Sequence, residues 1–194
     1  MSSVAQFLLY IFITAYTPGP NNIMSLSNAL RFGFRRSFPF NLGILTGFSI
    51  IMQLCTLLSA ALFAYVSQAK IYMQVIGAGY MLYLAWKTWR SSSRIQLNAT
   101  RGASFTSGFT LQFVNPKIYI YGVTAMSTFI LPYFDSTVML IGLALFLAFI
   151  GFTGTLAWSM FGSAFCGLLA KYGRIVNPAL ALLLVYCAAS LFLE

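Results

Sequence analysis

Long apolar runs separated by short polar breaks make up nearly the whole chain, and they predict helices near residues 4–30, 39–66, 70–90, 105–131, 136–164 and 173–193. A bilayer crossing needs roughly 20 mostly apolar residues, so each run is long enough to span. Several are longer than a bilayer requires, which predicts tilt or interruption. Little sequence remains between the runs, and residues 1–194 are therefore read as one membrane domain. The fold class expected is an all-α integral membrane protein of six transmembrane helices.

Composition sharpens this reading. Hydrophobic side chains make up 60% of the chain and charged ones only 7%, against about 25% charged in an ordinary soluble domain. A water-facing surface cannot be built from that stock. The formal charge of +9 would point to nucleic acid in a soluble protein, but here the basic residues gather between apolar runs. Arg31, Arg35 and Arg36 follow the first run; Lys87, Arg90, Arg94 and Arg101 follow the third; Lys171 and Arg174 follow the fifth. The opposite side holds Lys70 with both acids, Asp135 and Glu194. By the positive-inside rule the basic loops are cytoplasmic and both termini periplasmic in a bacterial inner membrane, with lipids and not nucleic acid as neighbours. The N-terminus lacks a basic segment before its apolar run, so no removable signal peptide is expected. Tyr83, Trp86 and Trp89, beside Lys87 and Arg90, read as an interfacial aromatic belt.

Two runs carry interruptions. The first contains Thr17-Pro18-Gly19-Pro20-Asn21-Asn22 near its middle, and each proline there frees the carbonyl four residues earlier, those of Thr14 and Tyr16. Lipid offers no donor to replace the lost bond, so such backbone must face protein or a wet cavity. The fourth run repeats the event at Asn115-Pro116-Lys117, which frees the Gln112 carbonyl. Pro20 and Pro116 lie about half a chain apart, so the interruptions occupy matching places in two halves, about 1–95 and 100–194. Three spans per half gives the halves opposite orientation. Paired broken helices in inverted halves mark a transporter's midplane binding site.

The chemistry of such a site favours a zwitterion. New half-helices begin at the breaks with free N–H groups and a positive dipole end, which suit a carboxylate. The uncapped carbonyls suit an ammonium, and the amides of Asn21, Asn22 and Asn115 add further partners. The bland alternative is that prolines only kink the helices and asparagines bind between them. Lys117 has two readings as well: a charged group in the site, or a lysine snorkelling to headgroups from a span that begins at 118. Asn177-Pro178, at the start of the sixth run, is read as structural. Gly43-Ile44-Leu45-Thr46-Gly47 has the small-xxx-small form of a close helix contact.

Absent residue types exclude much else. The chain has no histidine, and no acid falls within a predicted span. Cys55, Cys166 and Cys187 stand alone in apolar sequence and are read as packing. A metal centre, an intramembrane protease and a carboxylate proton relay are thereby disfavoured, no nucleotide-binding loop is present, and neither enzyme activity nor a cofactor is expected.

Thr17-Pro18-Gly19-Pro20-Asn21 resembles the signature of the LysE/RhtB family of amino-acid exporters. Gly77-Ala78-Gly79-Tyr80 and Asn115-Pro116-Lys117 are similar to other landmarks of that family, and the likeness extends over nearly the whole chain. Residues 111–131 and 180–188 most resemble its cysteine and O-acetylserine exporter branch. The resemblance implies export from the cytoplasm driven by the proton gradient, with small neutral amino acids as substrates and protons as coupling ion. A second copy of the chain is kept open as a partner. The residues expected around the substrate are Thr17, Pro18, Gly19, Pro20, Asn21, Asn22, Gln112, Asn115, Pro116 and Lys117. A membrane channel or a passive helical scaffold is the alternative reading.

Overall fold

The computed structural model describes residues 3–57, 103–165 and 172–190, most of 75–90, and Tyr72 and Phe192. All regular structure among the described residues is helical. Helix α1 covers Ser3–Tyr16 and α2 Pro20–Leu57, while α3 denotes the helical residues 78–86. The chain continues with α4, Phe105–Phe113, and α5, Pro116–Thr124, which runs into a π-helical turn over Ala125–Ile130. Helices α6, Thr137–Ala164, and α7, Gly173–Ser190, complete the fold. The fourth run is thus interrupted where Pro116 predicts, and the first where Pro18 and Pro20 do.

Helix α2 is not one rod. Gly33 has φ 74° and ψ 166°, a conformation open to glycine and strained for other residues. The Ser25 hydroxyl donates to Asn41 Oδ1 at 2.7 Å across that point. In a straight helix, residues this far apart would be separated by about 24 Å, so the chain doubles back at Gly33. The first and second apolar runs are therefore joined by a hairpin. This corrects the expectation that Arg31, Arg35 and Arg36 occupy a loop ending at residue 39. All three are helical, because a single glycine makes the turn and Pro39 is accommodated inside the second arm.

The hairpin is stapled to α6 by buried polar groups. Asn41 Nδ2 donates to the Ser159 hydroxyl at 3.2 Å, Ser37 Oγ lies 3.3 Å from the same oxygen, and the Phe34 amide donates to Ser163 Oγ at 3.3 Å. In an apolar surrounding these bonds hold register, since a slipped helix would strand buried donors. Helix α4 lies on the second arm of α2 through a glycine face. A Cβ on Gly43 would collide with the Phe105 carbonyl, and one on Gly108 with the Phe40 carbonyl. A Cβ on Gly47 would lie 2.8 Å from Gln112 Cγ. The small-xxx-small contact read from the sequence brings α4 against α2.

Two apolar clusters flank this centre. One joins α1, the second arm of α2, α5, the π-turn and α6; the other joins the first arm of α2 with α3 and α7. The outer surface is apolar too: Val138 is 81% exposed, Met160 60% and Leu182 62%. Among the described residues, Thr137–Ala164 is long and apolar enough to cross a bilayer as one helix, with mean hydropathy 2.2, and Pro20–Leu57, taken across its turn at Gly33, reaches 1.6. Trp86 and Trp89 project outward with Tyr83, and the Arg90 guanidinium sits 5.0 Å from the centre of the Trp86 ring, a cation–π contact. Cys55 and Cys187 are buried and in no disulfide, while Cys166 lies outside the described residues. Pro178 corrects another expectation: α7 begins at Gly173, so this proline stands in the second turn and not the first.

The glycine contact can be tested directly. Gly108→Ala should destabilise the purified protein by about 1–3 kcal/mol through overpacking, read as a lower thermal midpoint in detergent. Gly142→Ala, where a Cβ meets nothing within 4 Å, should leave the midpoint unchanged or slightly raised.

Candidate functional site

The interruption in the first run exposes the carbonyls of residues 14–19, and each one finds a donor. The Thr17 hydroxyl donates to the Thr14 carbonyl at 3.0 Å. Asn22, from the first turn of α2, reaches back to the carbonyls of Ala15 and Thr17 at 2.9 and 2.8 Å. The Trp158 indole of α6 donates to the Tyr16 carbonyl at 3.0 Å. Lys117, from α5, donates to the Thr17 hydroxyl at 3.0 Å and its carbonyl at 3.3 Å, and to the Pro18 carbonyl at 3.4 Å. The Gly19 carbonyl accepts from the Ile23 amide at 2.9 Å, the first bond of α2. The expectation of uncapped carbonyls awaiting a guest is thus corrected. Protein donors occupy them, and the ammonium already there is that of Lys117.

The second interruption is closed more locally. Asn115 caps α5 by accepting the Lys117 amide on Oδ1 at 3.2 Å, with Pro116 at the first helical position where its missing N–H costs nothing. The Gln112 carbonyl accepts from the Asn115 amide at 3.3 Å, and the Phe113 carbonyl from the Tyr119 hydroxyl at 3.4 Å. Side chains then tie the two breaks together. Asn21 Nδ2 donates to Gln112 Oε1 at 2.8 Å, while Asn21 Oδ1 accepts from Asn115 Nδ2 at 3.2 Å and from Gln112 Nε2 at 3.3 Å. Gln112 Nε2 also donates to the Gly108 carbonyl at 2.7 Å. Residues about a hundred positions apart in sequence form one polar centre.

Two cavities meet at Lys117. The smaller, about 40 Å³, is lined by Asn21, Asn22, Asn115, Tyr121 and Thr155 and has room for about three waters. The larger, about 680 Å³, is lined by Thr17, Pro18, Tyr10, Tyr121, Tyr186 and Cys187, among others. Gly19, Pro20 and Lys117 line both. Gly19 gives Lys117 room to pack closely, since a Cβ there would stand 3.1 Å from Lys117 Nζ and 3.2 Å from its Cδ. The larger space is of ligand-binding size. Gln112 and Pro116 line neither cavity: Gln112 bonds Asn21 and Pro116 opens α5.

A matching family profile covers residues 12–194: it is that of the LysE type translocators. The chain belongs to the LysE family. Cysteine/O-acetylserine efflux proteins are similar to it, at 44% identity in Escherichia coli O6:K15:H31 and 43% in E. coli K12 and Shigella flexneri serotype 5b, each over 190 residues and 97% of both chains. No solved structure matches the chain. Membership makes the protein a membrane-located amino-acid exporter of the LysE type and not an enzyme. No group of three or more metal-ligating side chains is found among the described residues.

Sequence reasoning missed Trp158, Tyr10, Tyr121 and Tyr186. Trp158 carried a readable signal, since an indole N–H in an apolar helix needs an acceptor and broken helices supply carbonyls. The tyrosines carried none, because aromatic residues are scattered through every run. Trp158→Phe should leave the Tyr16 carbonyl without its donor and cost about 1–3 kcal/mol. Thermal denaturation in detergent should show that loss, while the same change at the exposed Trp86 should show none.

Proposed function

We propose that this protein exports small neutral amino acids or their derivatives, of the cysteine and O-acetylserine kind, from the bacterial cytoplasm across the inner membrane. The observation that carries this reading is the Lys117 ammonium, held on backbone oxygens of the first break beside a cavity of about 680 Å³. A zwitterion matches both parts of that arrangement. Its carboxylate pairs with Lys117 and with the N-terminal end of α2, and its ammonium takes the Thr17 and Pro18 carbonyls that Lys117 then releases. A substrate with an extra positive charge would meet Lys117 as a like charge, which disfavours basic amino acids. The names of the similar efflux proteins agree with a neutral, small substrate.

The same reading makes the chain six spans in two inverted halves, with both termini periplasmic. In its favour, broken helices from matching places in each half bind one another through Asn21, Gln112 and Asn115, the arrangement of transporters that alternate access around a midplane site. The polarity follows from the nine basic residues that come after the first, third and fifth apolar runs. Export is driven by protons moving inward.

Inside-out vesicles carrying the protein should accumulate labelled cysteine or O-acetylserine saturably, exchange it against unlabelled substrate, and lose accumulation when a protonophore is added. A non-saturating leak would instead indicate a channel. Pro20→Ala should let α1 and α2 fuse and lower transport roughly tenfold or more at equal membrane abundance, since small misplacements of binding groups are costly. Single cysteines at Ser2 and Leu193, in a background lacking Cys55, Cys166 and Cys187, should react with an impermeant maleimide in intact cells, and one at Ser92 should not. The opposite pattern would overturn the inverted-repeat topology.

A further inference from the structure

A third cavity, of about 400 Å³, lies away from the site described above, and its lining is polar on several sides. Ser27, Asn28 and Arg31 come from the first arm of α2, Tyr80 from α3, and Ser104 and Ser107 from the start of α4. Met24 and Leu111, whose neighbours along the chain include Gln112 of the polar network, also line it. Asn21, Met24, Asn28 and Arg31 follow one another at helical spacing along the same arm. The rise of a helix puts Arg31 about 15 Å from Asn21 along that arm.

Arg31 is chemically unsettled where it stands. Its Nη2 is buried and has no hydrogen-bond partner among the described residues. A guanidinium cannot relieve this by losing its proton and calls for an anion with two acceptor oxygens. The chain has almost no such anion to give, because Asp135 and Glu194 are its only acids. Asp135 precedes α6, whereas Arg31 sits beside the turn that contacts Ser163 near the far end of that helix. The length of α6 separates them by about 40 Å. Among the described residues no carboxylate reaches Arg31, which leaves its Nη2 open to an anion from outside the chain.

We propose that this cavity is a cytoplasmic vestibule in which Arg31 receives the carboxylate of the amino acid before it passes the Asn21–Gln112–Asn115 network to Lys117. This rests on the export reading above. The hydroxyls of Ser27, Tyr80, Ser104 and Ser107 offer acceptors for the substrate ammonium, so the vestibule is matched to the same zwitterion as the inner site. It also gives the Gly77-Ala78-Gly79-Tyr80 landmark a place, through Tyr80. The competing source of an anion is a lipid phosphate, which shares the chemistry and is separated by the test.

The test measures labelled cysteine uptake in proteoliposomes sorted by orientation. With the cytoplasmic face outward, Arg31→Gln should raise KM about tenfold, the loss of one charge-assisted hydrogen bond, and Arg31→Lys should recover part of it. Ser107→Leu, which crowds the vestibule without altering charge, should also raise KM on that face. Counterflow from the opposite face should keep the parent's KM in all three variants. The same shifts should appear in phosphatidylcholine alone and with added phosphatidylglycerol. Unchanged KM, equal shifts on both faces, or an effect confined to the anionic lipid would each overturn the proposal, the last by making Arg31 a headgroup anchor. Should Arg31→Gln fail to reach the membrane, Arg31→Lys and Ser107→Leu decide alone. A parent that shows no saturable uptake would instead remove the export reading, a result the variants cannot produce.

Discussion

Backbone oxygens that lose their helical donors within an apolar run must be satisfied by the protein, and this constraint organises the centre of the molecule. An unpaired carbonyl costs on the order of several kcal/mol in hydrocarbon. Six carbonyls, from Thr14 to Gly19, at the end of α1 and in the break after it, are held by donors from Thr17 in the break, from α2, from α5 and from α6. The break consequently fixes the positions of four helices relative to one another. A feature that looks like damage in a helix becomes the point to which the others are bound.

The rest of the fold supplies the close approach that this binding demands. Gly43, Gly47 and Gly108 let α4 reach the backbone of α2, which brings Gln112 within range of Asn21. Gly33 turns the chain so that both arms of α2 flank the site, and the Ser25–Asn41–Ser159 chain of bonds keeps those arms and α6 in register. Gly154 and Gly162 perform the same service for α6, whose backbone there passes the carbonyls of Ala15 and Leu26. Small residues thus make room, and amide and hydroxyl side chains then choose the register.

Much of this was legible in the sequence, in a graded way. The apolar runs located the helices because a bilayer-length run has few other fates, and proline marked both breaks because it cannot donate. The hairpin at Gly33 was not legible, since a glycine among arginines looks like any loop, and its role depends on Ser25 meeting Asn41 in space. The capping of the freed carbonyls was missed for a related reason. Counting lost donors reveals which oxygens are exposed, but not that Trp158, far along the chain, returns to one of them. Lys117 was visible as an anomaly, and only the fold shows that its partners are Thr17 and Pro18.

In the transport reading proposed above, Lys117 joins the structural constraint to the function: it satisfies the break and is the charge offered to a substrate carboxylate. Calorimetric affinities of the purified protein for cysteine and for cysteamine, which lacks the carboxylate, measured in the parent and in Lys117→Met, test that link most directly. The account predicts that removing the carboxylate weakens binding to the parent by about ten- to a hundredfold, the worth of a charge-assisted hydrogen bond, and that this difference nearly vanishes in Lys117→Met. An equal ratio of the two affinities in both proteins would contradict it.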